Sequence, residues 1–149
     1  AQFHGHLGPW ATAGARLGMA GLREVEAKGY FDVRVICEGP FVKPPKSCFL
    51  DGPQVGTGAT LGKRNLSWVK ADAIMVRVEN TQTGRQAKVC PTPKLLEVLS
   101  SFKPHPKGDH ARAADGDNRR DADHVLETLA RKIAAMPDRE VLTVSHSGP

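Results

Sequence analysis

Long apolar runs are missing from this chain. No stretch of about eighteen consecutive apolar residues occurs, so the sequence offers no segment able to span a membrane. A secretory signal, with its apolar middle region, is missing too, which makes the cytoplasm the expected compartment. Cysteine is scarce and odd in number, with three residues at positions 37, 48 and 90. Such a set closes no disulfide framework, and without a CxxC pair a zinc ribbon has no ligands. In a cytoplasmic protein these cysteines are expected to be reduced, metal-bound or catalytic.

Two phosphate-binding patterns are also absent. A Walker loop needs Gly, four residues and then Gly-Lys-Ser/Thr. From Gly56 to Gly62 the spacing is one residue too long, and Arg64 stands where the hydroxyl belongs. The dinucleotide pattern GxGxxG fails because Leu61 occupies its third glycine. Net charge is only +5, which favours solubility and weak attraction to anions. Lys103, Lys107, Arg119 and Arg120 are interrupted by aspartates without interleaved aromatics, so no nucleic-acid partner is expected.

With 149 residues, the chain is expected to form a single domain with a real core over its whole length. It opens on Ala1 rather than Met, which implies a trimmed start. Gly8-Pro9-Trp10 opens a predicted helix to about Lys28, with Pro suited to a first turn and Gly29 to the stop. Within it Gly14, Gly18 and Gly21 recur at helical spacing beside Ala11 and Ala15. Each interior glycine costs about 1 kcal/mol against Ala, so the stripe predicts a closely packed second backbone. The domain's own core or a partner copy could supply it, the core being the simpler choice.

Alternation over Phe31–Cys37 predicts a strand, and Ala73–Glu79 is the clearest one, with Gln86–Cys90 its hairpin partner across Thr83-Gly84. Gly39-Pro40 and Pro44-Pro45 mark a loop. Asp51 and Gln54 read as a reciprocal cap on a short helix from about Gly52 to Thr57. Thr92-Pro93 starts another helix. Residues 103–120 turn polar, with little to bury, and read as a surface loop or linker. A helix over Asp121–Met136 and a strand over Val141–Val144 make up the C-terminal part of 121–149. Helices and strands mix without regular alternation. The expected class is therefore α+β, a long N-terminal helix on a mixed or antiparallel sheet.

His4-Gly5-His6 carries the chemistry. If the segment is extended, both imidazoles fall on the same side. A thiolate from Cys48 would complete three of the four ligands zinc takes, leaving one position open. A solvated turn explains the histidines equally, and a small buried residue explains Cys48 taken alone. Cys48 lies just before the proposed helix start and near Lys46, a setting that favours thiolate. Asp51 fits the cap best, and it also fits a carboxylate that fixes a histidine tautomer. Thr57, Thr60, Lys63 and Asn65, with Gln54 before them, are candidates to surround a small anionic ligand. His105, His110 and His124 receive no role.

The blocks Phe3-His4-Gly5-His6-Leu7-Gly8-Pro9, Gly14-Ala15-Arg16-Leu17-Gly18, Ser47-Cys48-Phe49-Leu50-Asp51-Gly52-Pro53-Gln54 and Thr57–Asn65 occur in this order. Together they closely resemble the FmdE-like family, named for formylmethanofuran dehydrogenase. The resemblance implies an α+β core domain, a homodimer, and a metal site built from the HGH segment and the cysteine block. Longer members carry a C-terminal zinc finger whose cysteines this chain lacks. The family's name refers to a molybdenum or tungsten enzyme whose redox chemistry lies in other polypeptides; no pterin or iron–sulfur site is expected here. Departures are specific. Many relatives have Cys where Gly8 and Ala59 stand, Gly where Arg64 stands, and an apolar residue at Pro53. Without a cysteine at Ala59 a dithiol cycle with Cys48 loses its partner, whereas a His/His/Cys site survives.

Three functions follow as expectations. The first is a cytoplasmic protein binding zinc or another divalent transition metal through His4, His6 and Cys48. Its Gly/Thr/Lys pocket would take a small anionic or C1-carrier ligand, and any turnover would be metal-assisted hydrolysis or group transfer. The second is a non-catalytic accessory or metal-delivery component of a molybdenum or tungsten oxidoreductase. The third is an enzyme whose catalytic nucleophile is Cys48, acting without metal.

Overall fold

The computed structural model describes residues 1–101 and 116–147, with the backbone alone for 116–120 and 147. In chain order the elements are α1 (Pro9–Glu24), β1 (Val33–Gly39), α2 (Asp51–Thr57), β2 (Leu66–Lys70) and β3 (Met75–Asn80). β4 (Gln86–Pro91), α3 (Pro93–Ser100), α4 (Gly116–Ala135), the one-turn helix α5 (Asp138–Val141) and β5 (Leu142–Ser147) follow. A 3₁₀ turn, Lys46–Leu50, runs directly into α2. The class is α+β, with no zinc finger among the described C-terminal residues.

The five strands form one mixed sheet in the order β2-β1-β3-β4-β5, parallel between β1 and β2 and antiparallel elsewhere. Period-two alternation sends Val33, Val35, Cys37, Val76, Val78, Ala87 and Val89 to one buried face. The opposite face carries ion pairs between Arg77 and Glu38 (2.8 Å) and between Arg34 and Glu79 (3.5 Å). The parallel strand β2 was not anticipated. Only Leu66 of its five residues is buried, so an edge strand here shows no alternation to read.

α1 lies on the buried face, and its glycines explain how closely. A Cβ at Gly21 would stand 2.5 Å from a Val78 methyl, and one at Gly14 would stand 2.2 Å from the Phe49 carbonyl oxygen. Gly52 of α2 answers from the other side, where a Cβ would lie 2.2 Å from the Ala11 carbonyl oxygen and 2.3 Å from the Ala15 nitrogen. The close partner of the stripe is therefore the chain's own core.

The first helix ends earlier than expected, at Glu24 rather than near Lys28. Ala27 N–H donates to the Leu22 carbonyl (3.2 Å) and Glu26 N–H to the Arg23 carbonyl (3.1 Å). This is the Schellman closure, with Glu26 (φ 53°) in the left-handed position usually given to glycine. Buried Asn80 supports it by donating to the carbonyls of Val25 (3.1 Å) and Glu26 (3.2 Å) from the end of β3.

Thr92 caps α3 as expected, its hydroxyl oxygen accepting from Leu95 N–H at 3.1 Å. The polar segment 103–120 lies mostly outside the described residues, but the chain is already helical from Gly116, ahead of the expected Asp121. The last strand begins at Leu142, because Val141 still belongs to α5. Arg16 ties this C-terminal part to α1. Its guanidinium donates to the carbonyls of Ile133 (2.8 Å), Ala134 (3.0 Å) and Met136 (2.8 Å), and it pairs with Asp138.

Candidate functional site

The His4-Gly5-His6 segment is not extended. Residues 2–6 turn back on themselves, closed by Gly5 N–H donating to the Ala1 carbonyl at 2.7 Å. Gly5 has φ +88°, a left-handed conformation that glycine adopts without a Cβ penalty. The turn still brings the two imidazoles together, with ring centroids 4.7 Å apart and planes tilted by 48°. The two imidazoles thus share a side as expected, though on a different backbone.

The reciprocal cap between Asp51 and Gln54 is overturned. Asp51 lies inside a continuous helical path, preceded by Leu50 in helical conformation, and it makes no cap hydrogen bond. Its carboxylate instead meets His4 Nδ1 at 2.5 Å. Gln54 lies along α2, where its Nε2 donates to the Leu50 carbonyl and its Oε1 accepts from Leu61 N–H, both at 3.4 Å. A hydrogen bond at Nδ1 selects which ring nitrogen faces outward. The outward nitrogen, His4 Nε2, is buried and has no hydrogen-bond partner among the described residues. A buried polar atom of this kind calls for an explanation such as a missing ion or ligand.

Both imidazoles face Gly8, the residue before α1. A Cβ built there would stand 3.1 Å from His6 Nε2 and 3.6 Å from His4 Nε2. The surrounding cavity measures about 560 Å³ and is lined by the two histidines, Asp51, Gly8, Phe3 and Val55 among others. The position of Gly8 and the role of Asp51 as the partner of His4 were the parts of the site least visible in the sequence.

Cys48 lies ahead of α2 as expected, within the 3₁₀ turn that runs into it, and its N–H donates to the Pro45 carbonyl at 3.2 Å. Neighbouring Phe49 pins this turn, fully buried and stacked on Phe41 with ring centroids 4.6 Å apart. Cys48 is partly buried against the core and lies three residues before Asp51. None of the three cysteines is in a disulfide. Burial pushes the Cys37 thiol up to about 12, leaving it inert.

The glycine-threonine-lysine loop is held by its own bonds. Thr57, buried, donates to the Pro53 carbonyl (2.7 Å) and accepts from Ala59 N–H (3.1 Å). Asn65 accepts from Thr60 N–H (2.9 Å) and donates to the carbonyls of Tyr30 (2.7 Å) and Val33 (3.0 Å). Lys63 Nζ donates to Thr60 Oγ1 at 3.1 Å and stands 5.7 Å from the Phe31 ring centre. Arg64 has φ 58°, a conformation in which glycine would be unstrained. None of these residues lines the histidine cavity.

As a test of fit to a metal, the two Nε2 atoms are suitable donors and the Asp51–His4 bond is the support that metal-bound histidines ordinarily have. Among the described residues, however, no group of three or more His, Cys, Asp or Glu side chains is arranged to hold an ion. The geometry therefore brings together His4, His6 and Asp51, with Cys48 on the adjoining turn and the loop elsewhere. No helix among the described residues is long and apolar enough to cross a membrane.

A family model described as "FmdE, Molybdenum formylmethanofuran dehydrogenase operon" matches residues 3–143, nearly the whole chain. No curated protein matches it significantly. The match runs from the histidine turn through the cysteine block and the loop to β5, so every element of the candidate site falls inside it. The chain belongs to the FmdE family.

Proposed function

We propose that this chain is a cytoplasmic metal-binding protein, associated with formylmethanofuran dehydrogenase, that presents zinc or a similar divalent transition metal to a small anionic or C1-carrier ligand. The observation that carries it is His4, whose Nδ1 is held by Asp51 while its buried Nε2, beside His6, has no partner among the described residues. A neutral imidazole fixed in this way is a ready metal ligand. His6 Nε2 supplies the second donor. Cys48, on the 3₁₀ turn that leads into Asp51, would supply the third. A late divalent ion takes this mixed nitrogen and sulfur set readily.

When bound, such an ion polarises a carbonyl or activates water. The chain's own residues would do the rest: Asp51 would orient His4, and the exposed side chains of Phe3 and Val55 would give the cavity apolar lining. Gln54, Thr60 and Lys63 lie outside the histidine cavity and would meet only a ligand that extends beyond it. Thr57 and Asn65 act through the shape of the loop, since their polar atoms are spent within it. The family's printed description, an operon of a molybdenum enzyme, supports association with that enzyme's components, in an accessory or metal-delivery role. A homodimer is the expected assembly.

Native mass spectrometry of the wild type, His6→Ala and Cys48→Ser tests the metal site. About one metal per chain is expected in the wild type, with loss in both variants. Equal metal in all three defeats the proposal. Rapid alkylation of Cys48 that a chelator leaves unchanged would mark instead a thiol nucleophile acting without metal.

A further inference from the structure

The chain's two tryptophans are bonded the opposite way round from their burial. Trp68, 37% exposed, donates its indole N–H to the Gly39 carbonyl at 3.1 Å. Trp10, only 7% exposed, makes no indole hydrogen bond among the described residues. A buried tryptophan N–H ordinarily has a partner, because leaving the bond unmade costs the desolvation of the donor. The Trp10 nitrogen is not among the side-chain atoms sealed in the interior, so it stays within reach of a ligand. Trp10 lines a cavity of about 660 Å³ that shares no residue with the histidine cavity. Pro40, Pro45 and Pro91 hold its walls at fixed φ, and Ile74, Leu96 and Leu99 make them apolar. Burial, and then the Glu38 carboxylate, raise the Cys90 thiol in its lining above the ordinary value against a smaller opposing effect of Lys88, so that group stays neutral. The rim carries one cation and one anion, Lys46 and Asp72, both exposed and neither in an ion pair among the described residues.

We propose that this cavity is a second ligand site, taking a compact, uncharged and largely apolar molecule that presents one hydrogen-bond acceptor, of the ring-ketone kind, to the Trp10 indole N–H. An indole nitrogen donates only, so the complementary group must accept. Opposite charges on the rim give a ligand no net charge to complement. The volume lies within the roughly 300–1,000 Å³ of small-molecule sites. Proline walls are already ordered, so little freedom is lost on binding. The inference is independent of the metal reading.

NMR of the ¹⁵N-labelled protein, titrated with indanone and with indane, tests the site, because indane has the same fused rings without the oxygen. In the wild type indanone should move the Trp10 indole resonance and the amides of Ala73 and Ile74 saturably, with half-saturation below about 1 mM. Trp10→Phe keeps an aromatic wall and removes the donor. It should bind indanone about 2- to 10-fold more weakly, while its affinity for indane stays near the wild-type value. Ala73→Phe, at an exposed position of the lining, should weaken both probes about tenfold or more by filling the space. Melting temperature checks that each variant folds; if Trp10→Phe does not, the indole shift and Ala73→Phe decide. A wild type without saturable shifts, or an Ala73→Phe variant that binds as the wild type does, overturns the site. Equal loss of both probes in Trp10→Phe overturns recognition of the acceptor.

Discussion

Asp51 stands at the start of a helix, where a carboxylate is ordinarily explained by the helix itself. Its bond to His4 gives it a second purpose, since the charge holds the imidazole proton on Nδ1 and leaves Nε2 to face the cavity. Asp51→Asn keeps the size and removes the charge. Metal affinity, measured by chelator competition, should fall about 10- to 100-fold; an unchanged affinity would make the carboxylate purely structural. Cys37 shows the opposite use of burial. Its folded-state thiol is raised to about 12 from 9.0 by desolvation. The neutral thiol is thus favoured in the folded chain, so this contribution to stability is complete below pH about 9 and is lost as pH rises toward 12. Alkylation near pH 8 should leave Cys37 unlabelled until the chain is denatured, and labelling of the native protein would show that its pocket opens. His4 and His6 were legible as a pair because they are sequence neighbours. The partner of His4 was not, because Asp51 also fitted a local cap and only distance in space separates the two roles.

Glycine decides the geometry of α1 and α2. On an exposed helix Gly→Ala gains about 1 kcal/mol. At Gly14 the added methyl would lie 2.2 Å from the Phe49 carbonyl oxygen, and at Gly52 a similar distance from the Ala11 carbonyl. Those are backbone atoms that cannot swing aside. Gly14→Ala and Gly52→Ala should each destabilise by about 1–3 kcal/mol in urea unfolding, with the helices forced apart. A stabilising Gly14→Ala would mean that α1 and the 3₁₀ turn are not in close contact. The stripe predicted a close neighbour from spacing alone, but whether core or partner copy filled it required the packed structure. Helix ends behaved similarly. Thr92-Pro93 announced α3 because the cap is local, whereas Glu26 ended α1 in a left-handed conformation supported by Asn80, a residue 54 positions away. β2 escaped notice because an edge strand buries too little to leave a pattern.

The site draws on three segments of the fold: the N-terminal turn, the start of α1, and the path from the 3₁₀ turn into α2. A metal held between the N-terminal turn and the 3₁₀ turn would require these segments to be packed together, so its binding should stabilise the folded state alone. Saturation at about 100 times Kd adds roughly 2.7 kcal/mol. Added zinc should therefore raise the melting temperature by several degrees, EDTA should reverse the rise, and Asp51→Asn should shrink it. A melting temperature indifferent to both zinc and EDTA would argue against a site that bridges these elements.

Local information determined the alternating strands β1, β3 and β4, the cap of α3, the family blocks and the identity of the two histidines. All of these are encoded by residues within a few positions of one another. Tertiary structure alone decided that Asp51 orients His4 across 47 residues, that the 3₁₀ turn, α2 and the sheet fill the glycine stripe, and that both imidazoles look onto Gly8. The reason is physical: periodicity and capping depend on neighbours along the backbone, while the space above a missing side chain exists only after distant segments have packed around it.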